Sequence, residues 1–336
     1  MKKCLLCQDK EADKTGSHIV PHFLMKRIDN QIGAKGRGKE LGFLIGKLET
    51  KGYFGRNILP EDLEKIYGEV DEQLIENNDI SLVVDHFFCS ECEKNLGNLE
   101  SQYAVSLTKT ADHHTGYKSI EKEGIGFLFW ISILWRLSIF GKCGIKLKEK
   151  EERKLGRILK KYLTDYKLVI SDEDLKDIGY KLVRAANYKQ VPHTYLHCSP
   201  FNIRPYSIMV DEFILFFYFK TTYLKAMECT FYGSEILIKK AEYNTAFTPE
   251  RILSIKESEL HEIIQNFVNH AAALRMNEYI EILDELHQKL GFSGKMDVRL
   301  KQKILYNIAA SEEPIGKKYS FENIRKIMAA TIMEGN

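Results

Sequence analysis

The chain has 336 residues, 44% hydrophobic and 29% charged, with a formal net charge of +2. That length suffices for two domains, and the composition is that of a folded globular protein rather than a disordered or fibrous one. A charge so near zero excludes a basic field over the whole molecule, so any affinity for nucleic acid has to come from local patches.

Residues 1–30 begin with the pair Cys4-x-x-Cys7, continue to a short strand around His18–Val20, and then predict a helix from about His22 to Asp29. Residues 31–56 are rich in Gly, Lys and Arg, which reads as a flexible loop or hairpin rather than a packed element. Its cations Lys35, Arg37, Lys39, Lys47, Lys51 and Arg56 are candidate contacts to a phosphate backbone. Pro60 opens an acidic helical stretch over 60–78, and Ser81–Phe88 reads as a strand. A second pair, Cys89-x-x-Cys92, leads into a helix expected from Glu93 to Leu107. A polar stretch, Lys109–Glu123, then separates an N-terminal module of residues 1–110 from an α+β domain of residues 120–336.

Ile125–Phe140 is almost wholly apolar. It is shorter than the about 20 residues a spanning helix needs, and Arg136 lies within it, so it reads as a buried helix with Arg136 turned to a carboxylate partner or to the rim. An amphipathic helix follows over about Lys148–Tyr166. Its Lys150, Arg153, Lys154, Arg157, Lys160 and Lys161 form a charged outer face or a nucleic-acid contact. Tyr195–Lys220 alternates as strands of an antiparallel or mixed sheet do. From Thr248 onward the pattern is helical, with Thr248-Pro249-Glu250 as a start signal.

The two cysteine pairs carry the chemistry. Each has the spacing of a zinc knuckle, and together Cys4, Cys7, Cys89 and Cys92 supply the four thiolates of a closed tetrahedral Zn2+ site. Joining pairs about eighty residues apart instead of about twenty costs on the order of 1 kcal/mol of loop entropy. A structural zinc contributes about 10–16 kcal/mol of apparent binding energy, so the long insertion is tolerated. The cysteine total is odd, at seven, and no apolar leader follows Met1-Lys2-Lys3, which points to a reducing cytoplasmic setting and away from a disulfide framework.

Between the pairs lies Ser17-His18-Ile19-Val20-Pro21, and after the second comes Glu93. A cysteine pair, a strand carrying His-Ile-Val-Pro, a second strand and a C-x-x-C-Glu helix start resemble the zinc-braced HNH endonucleases, in particular a bacterial subgroup with SHIIP and CxxCE runs. The resemblance covers residues 4–25 and 85–100. It implies an α+β protein whose N-terminal ββα module holds a divalent cation, Mg2+ or Mn2+, for phosphodiester hydrolysis of DNA or RNA. His18 is then the general base, with His86 and Asn95 as further catalytic candidates and Asp85 and Glu93 as cation ligands. It also implies a role in bacterial antiviral defence, with nucleic acid and a defence protein as partners. The sequence departs from the pattern in three places: Ser17 stands where the family often has Asp, Glu93 where it has His or Asn, and no Asn lies in the strand before Cys89. His18 has two other readings, a histidine packed behind the zinc site or a direct zinc ligand. The alternative function is a non-catalytic zinc protein that binds nucleic acid or another protein.

Overall fold

The structure is a computed structural model that describes residues 2–25, 41–45, 50–54, 58–76, 78, 82–109, 117–120, 123–166, 168–186, 188, 196–198, 204–226 and 232–333, with backbone alone for several of them, including 41–45, 50–52 and 117–120. It is a mixed α and β protein in two compact units. One comprises residues 1–28 and 82–266, the other residues 29–81 and 267–336.

In the first unit, β1 (Ser17–His18) opens a fold whose other parts come from beyond an excursion of the chain. That excursion belongs to the second unit and holds the hairpin of β2 (Leu41–Ile45) and β3 (Thr50–Phe54), then α1 (Pro60–Tyr67) and α2 (Glu72–Glu76). The chain returns as β4 (Val83–Val84), which pairs antiparallel with β1 so that His18 faces Val83 across the ladder. The long helix α3 (Ser90–Lys109) follows at once. Asp13 starts it, accepting from the Ser90 backbone N–H at 2.8 Å and from its hydroxyl at 3.0 Å. This cap, 77 residues away in sequence, is why the helix begins before the Glu93 start expected from the pattern.

Beyond β5 (Tyr117–Ile120) comes α4 (Ile125–Phe140), buried from Ile125 through Ser138 and closed by Gly141 in the left-handed conformation, whose N–H reaches the Leu137 carbonyl. Among the described residues no helix is long and apolar enough to cross a membrane. Next, α5 (Glu149–Leu163) lays Leu155, Ile158, Leu159, Tyr162 and Leu163 inward. Gly156 lets it close on α4, since a β-carbon there would stand 3.1 Å from Trp135 Nε1.

The rest of the unit is a mixed sheet of β6 (Gly179–Arg184), β7 (Leu196–Cys198), β8 (Tyr206–Val210), β9 (Phe213–Tyr218) and, after α6 (Glu235–Lys240), β10 (Asn244–Thr245) and β11 (Glu250–Ser254). Its order is β5-β11-β6-β9-β8-β7, with β10 also paired to β6, and the β11–β6 pairing is parallel among otherwise antiparallel ones. Glu250, expected in the first turn of a helix, instead begins β11. Its neighbour Thr248 accepts from the Thr245 N–H in a tight turn, and the helix waits until α7 (Glu257–Lys289).

The cysteines, α3, α4, α5 and the sheet share one hydrophobic core. The division expected near residues 110–120 therefore falls inside a core, because α4 packs on α3 and buries the face that a domain boundary would leave wet. The unit boundary lies within α7, between Asn266 and Phe267. In the second unit, the far part of α7 packs with α8 (Val298–Ala310) and α10 (Phe321–Met333) through Leu283, Ile304, Ile308 and Met328. The short α9 (Ile315–Lys318) lies against α1. The helix expected over 60–78 is split into α1 and α2, because Gly68 takes φ +76° where α1 ends.

Candidate metal centre and the site beside it

The sulfurs of Cys4, Cys7, Cys89 and Cys92 lie within 4.8 Å of one another, all buried, and could hold a metal ion such as zinc. Backbone bonds fold the two knuckles together: Leu5 N–H donates to the Phe87 carbonyl at 2.8 Å, and Lys14 N–H to the Phe88 carbonyl at 3.1 Å. Four thiols this close cannot ionise independently. A hydrogen bond from Cys92 holds the Cys4 thiol down at about 4, while the bond to Cys4 and burial drive Cys92 well up. A dication among them relieves that conflict, which is the chemistry of a four-thiolate zinc site. His18 is not one of the clustered ligands.

His18 stands at the end of β1, and its position is fixed from behind by the buried guanidinium of Arg136, only 2% exposed. Arg136 Nη1 donates to the His18 carbonyl at 2.9 Å and meets Glu100 Oε1 at 2.8 Å. Its Nε donates to the Ser132 carbonyl at 3.2 Å. The carboxylate partner expected for Arg136 is thus Glu100, on the same helix as Glu93. Exposed His22 sets its ring edge-on to that of His18, 6.3 Å between centroids.

Glu93, in the first turn of α3, is half-buried, and that burial raises its carboxyl above the usual range against the pull of the Ser17 hydroxyl and of Arg136. Ser17 is fully buried, and its Oγ makes no hydrogen bond of good geometry although it lies beside Glu93. Among the described residues the cysteine quartet is the one group of histidines, cysteines or carboxylates placed to hold a metal ion. Seven residues on, two turns along α3, Glu100 follows Glu93, and at Gly97 between them a β-carbon would meet nothing within 4 Å. Oxygen donors of this kind suit a hard divalent cation.

Three other expected residues are held elsewhere. Asn95 turns its amide to α5, donating to the Leu163 carbonyl at 2.8 Å and that of Thr164 at 3.3 Å. Asp85 accepts from the Gly16 N–H at 2.7 Å. His86, at φ +59°, places Nδ1 3.0 Å from the Ala12 carbonyl and gives its own N–H to Lys14. Asp85 and His86 therefore strap residues 12–16 against the second knuckle. Of the basic loop, Lys35, Arg37, Lys39, Lys47 and Arg56 lie outside the described residues, and Lys51 is placed only by its backbone in β3. The hairpin expected in that stretch is present as β2 and β3.

Spacing along the chain does not bring out Ser17 beside Glu93, Glu100 as the partner of Arg136, or the bond from Arg136 to the His18 carbonyl. A signal existed for Glu100, since Glu93, Gly97 and Glu100 fall on one helical face by spacing alone. Comparison of the chain with protein-family models, with curated proteins and with solved structures finds no match.

Proposed function

We propose that the first unit is a metal-dependent phosphodiesterase of HNH type acting on nucleic acid, with the four cysteines holding a structural zinc. The observation that supports it most is the placing of Glu93 beside Ser17, next to His18. Where the family often has a strand Asp and usually a helix His or Asn, this chain has a strand hydroxyl and a helix carboxylate, so one anionic ligand is kept and changes element. A divalent cation bound there would supply Lewis-acid stabilisation of the charge on the leaving oxygen. Glu93 and Ser17 would hold it. His18 accepts the proton of the attacking water, and Arg136 keeps the backbone of His18 at a constant distance from α3.

The test is nicking of supercoiled plasmid and of structured RNA by zinc-loaded protein with Mg2+ or Mn2+. His18→Ala is expected to lose activity by about 10²–10⁴-fold, the usual contribution of a positioned base. Cleavage by His18→Ala at the native rate removes His18 from the reaction. A second reading, a non-catalytic zinc protein that binds nucleic acid or protein, is favoured by the commitment of the Asn95 amide to α5. Manganese titration of the zinc-loaded protein separates the two, because only the first requires a second cation site abolished by Glu93→Gln.

A further inference from the structure

The basic residues of α5 gather on one side of it. At 100° per residue, Lys150, Arg153, Lys154, Arg157, Lys160 and Lys161 fall within an arc of about 120° that contains no acid. The opposite side carries Leu155, Leu159 and Leu163, each fully buried. The stripe extends over twelve positions, roughly 16 Å at 1.5 Å per residue. Arg153 pairs with exposed Glu149, Lys161 with half-buried Asp172, and Lys160 approaches exposed Asp9 at 3.7 Å. Such surface pairs are worth about 0–1 kcal/mol and yield readily to a stronger anion. No acid pairs with Lys150 or Arg157 among the described residues.

The stripe also points somewhere. Asp9 belongs to the turn after Cys7, so Lys160 touches the first zinc knuckle. Asn95, two residues past Glu93, bonds the last carbonyls of α5. The C-terminal end of the basic face is therefore fastened to the helix turn that carries Glu93.

We propose that the outer face of α5 is a docking surface for the phosphate backbone of a nucleic acid, lying along the strand whose phosphodiester reaches the His18–Glu93 site. The second half of that statement rests on the phosphodiesterase reading; the first does not. A polyanion fits because the arc offers a row of six cations with no acid of α5 among them. An anionic membrane is the poorer partner: the apolar face of α5 is spent in the core, leaving nothing to insert between lipids.

The experiment uses full-length, zinc-loaded His18→Ala protein, so that the probe survives, and fluorescence anisotropy with a labelled 20-nucleotide single strand and its duplex. Lys150→Glu/Lys154→Glu/Arg157→Glu is compared with Lys289→Glu/Lys295→Glu/Arg299→Glu, the same charge change at exposed residues of the second unit. The α5 triple is expected to weaken binding roughly tenfold or more at 0.1 M salt. It should flatten log K against log salt by about 2 for the single strand and about 2.7 for the duplex, three contacts at the usual slopes. The second-unit triple should change both little. Equal losses in the two triples, unchanged binding in the α5 triple, or tighter binding of native protein to phosphatidylserine vesicles than to either oligonucleotide would overturn the proposal. Should the α5 triple unfold by circular dichroism, the Lys/Arg→Gln version replaces it; a native salt slope smaller in magnitude than 2 also overturns the proposal. Hydrolysis of bis(4-nitrophenyl) phosphate by proteins with His18 intact keeps the two readings apart. The α5 triple should retain it if the site is real. Its absence in native protein rejects the phosphodiesterase while leaving the binding result to stand.

Discussion

Glu250 sits at the start of β11 with no solvent contact of note, 3% exposed, and is the acceptor at which four elements meet. Tyr180 Oη of β6 donates to it at 2.5 Å, Tyr103 Oη of α3 at 3.0 Å, and Trp130 Nε1 of α4 at 3.2 Å. Burial pushes its carboxyl from the ordinary 4.5 up to about 7, and the three donors with Arg184 only partly restrain the rise. A carboxyl whose pKa is raised on folding favours the fold while it is protonated. That contribution is complete below about 4.5, falls as pH climbs, and is gone above about 7. The difference of the two values at 1.36 kcal/mol per unit gives a loss of about 3 kcal/mol, of which about 2.5 falls between pH 5 and pH 8. Glu250→Gln keeps an acceptor and cannot ionise. Stability of native protein relative to Glu250→Gln should therefore drop by about 2–3 kcal/mol over that range, with the change ending near pH 7.5. Urea unfolding followed by tryptophan emission measures it cleanly, because both tryptophans, Trp130 and Trp135, lie in α4 and report the first unit. Other titrating groups cancel in the difference. A gap that stays constant from pH 5 to pH 8 would refute the reasoning, and would mean that Glu250 stays ionised throughout.

Three further outcomes follow from the same packing. Gly126→Ala places a β-carbon 2.5 Å from Glu250 Oε1 and 2.8 Å from Tyr180 Oη, so it should cost about 1–3 kcal/mol in the same urea assay. Zinc should be present at one ion per chain by elemental analysis. Chelation, or Cys92→Ser, should remove it and lower the unfolding midpoint of the first unit; at a thousandfold excess over its Kd a ligand stabilises by about 4 kcal/mol. Arg136→Met leaves Glu100 and the His18 carbonyl without their shared donor. The expected loss is about 2–3 kcal/mol, less than for a wholly buried pair because Glu100 is 20% exposed, and adding Glu100→Gln should recover part of it. A change under about 0.5 kcal/mol for Arg136→Met would show that the pair contributes nothing to folding.

Local spacing on its own settled a good deal. Two C-x-x-C pairs can present sulfurs to one ion only from two tight turns, so the quartet was legible without knowing what lay between them. The apolar run of α4 and the amphipathic α5 were equally readable, because burial and helical periodicity are recorded residue by residue. Three things depend on contacts between distant segments, and only the tertiary structure decided them. Asp13 begins α3 from 77 residues away. Glu250 leaves a helix-start pattern for a strand, since a buried carboxylate goes where donors from α3, α4 and β6 converge. Asn95, a site candidate by its place after Cys92, is drawn off by the open carbonyls at the end of α5. A pattern states which neighbours along the chain a residue can reach; the hydrogen-bond demand of buried groups selects its partners across the fold, and that demand is not written at any single position.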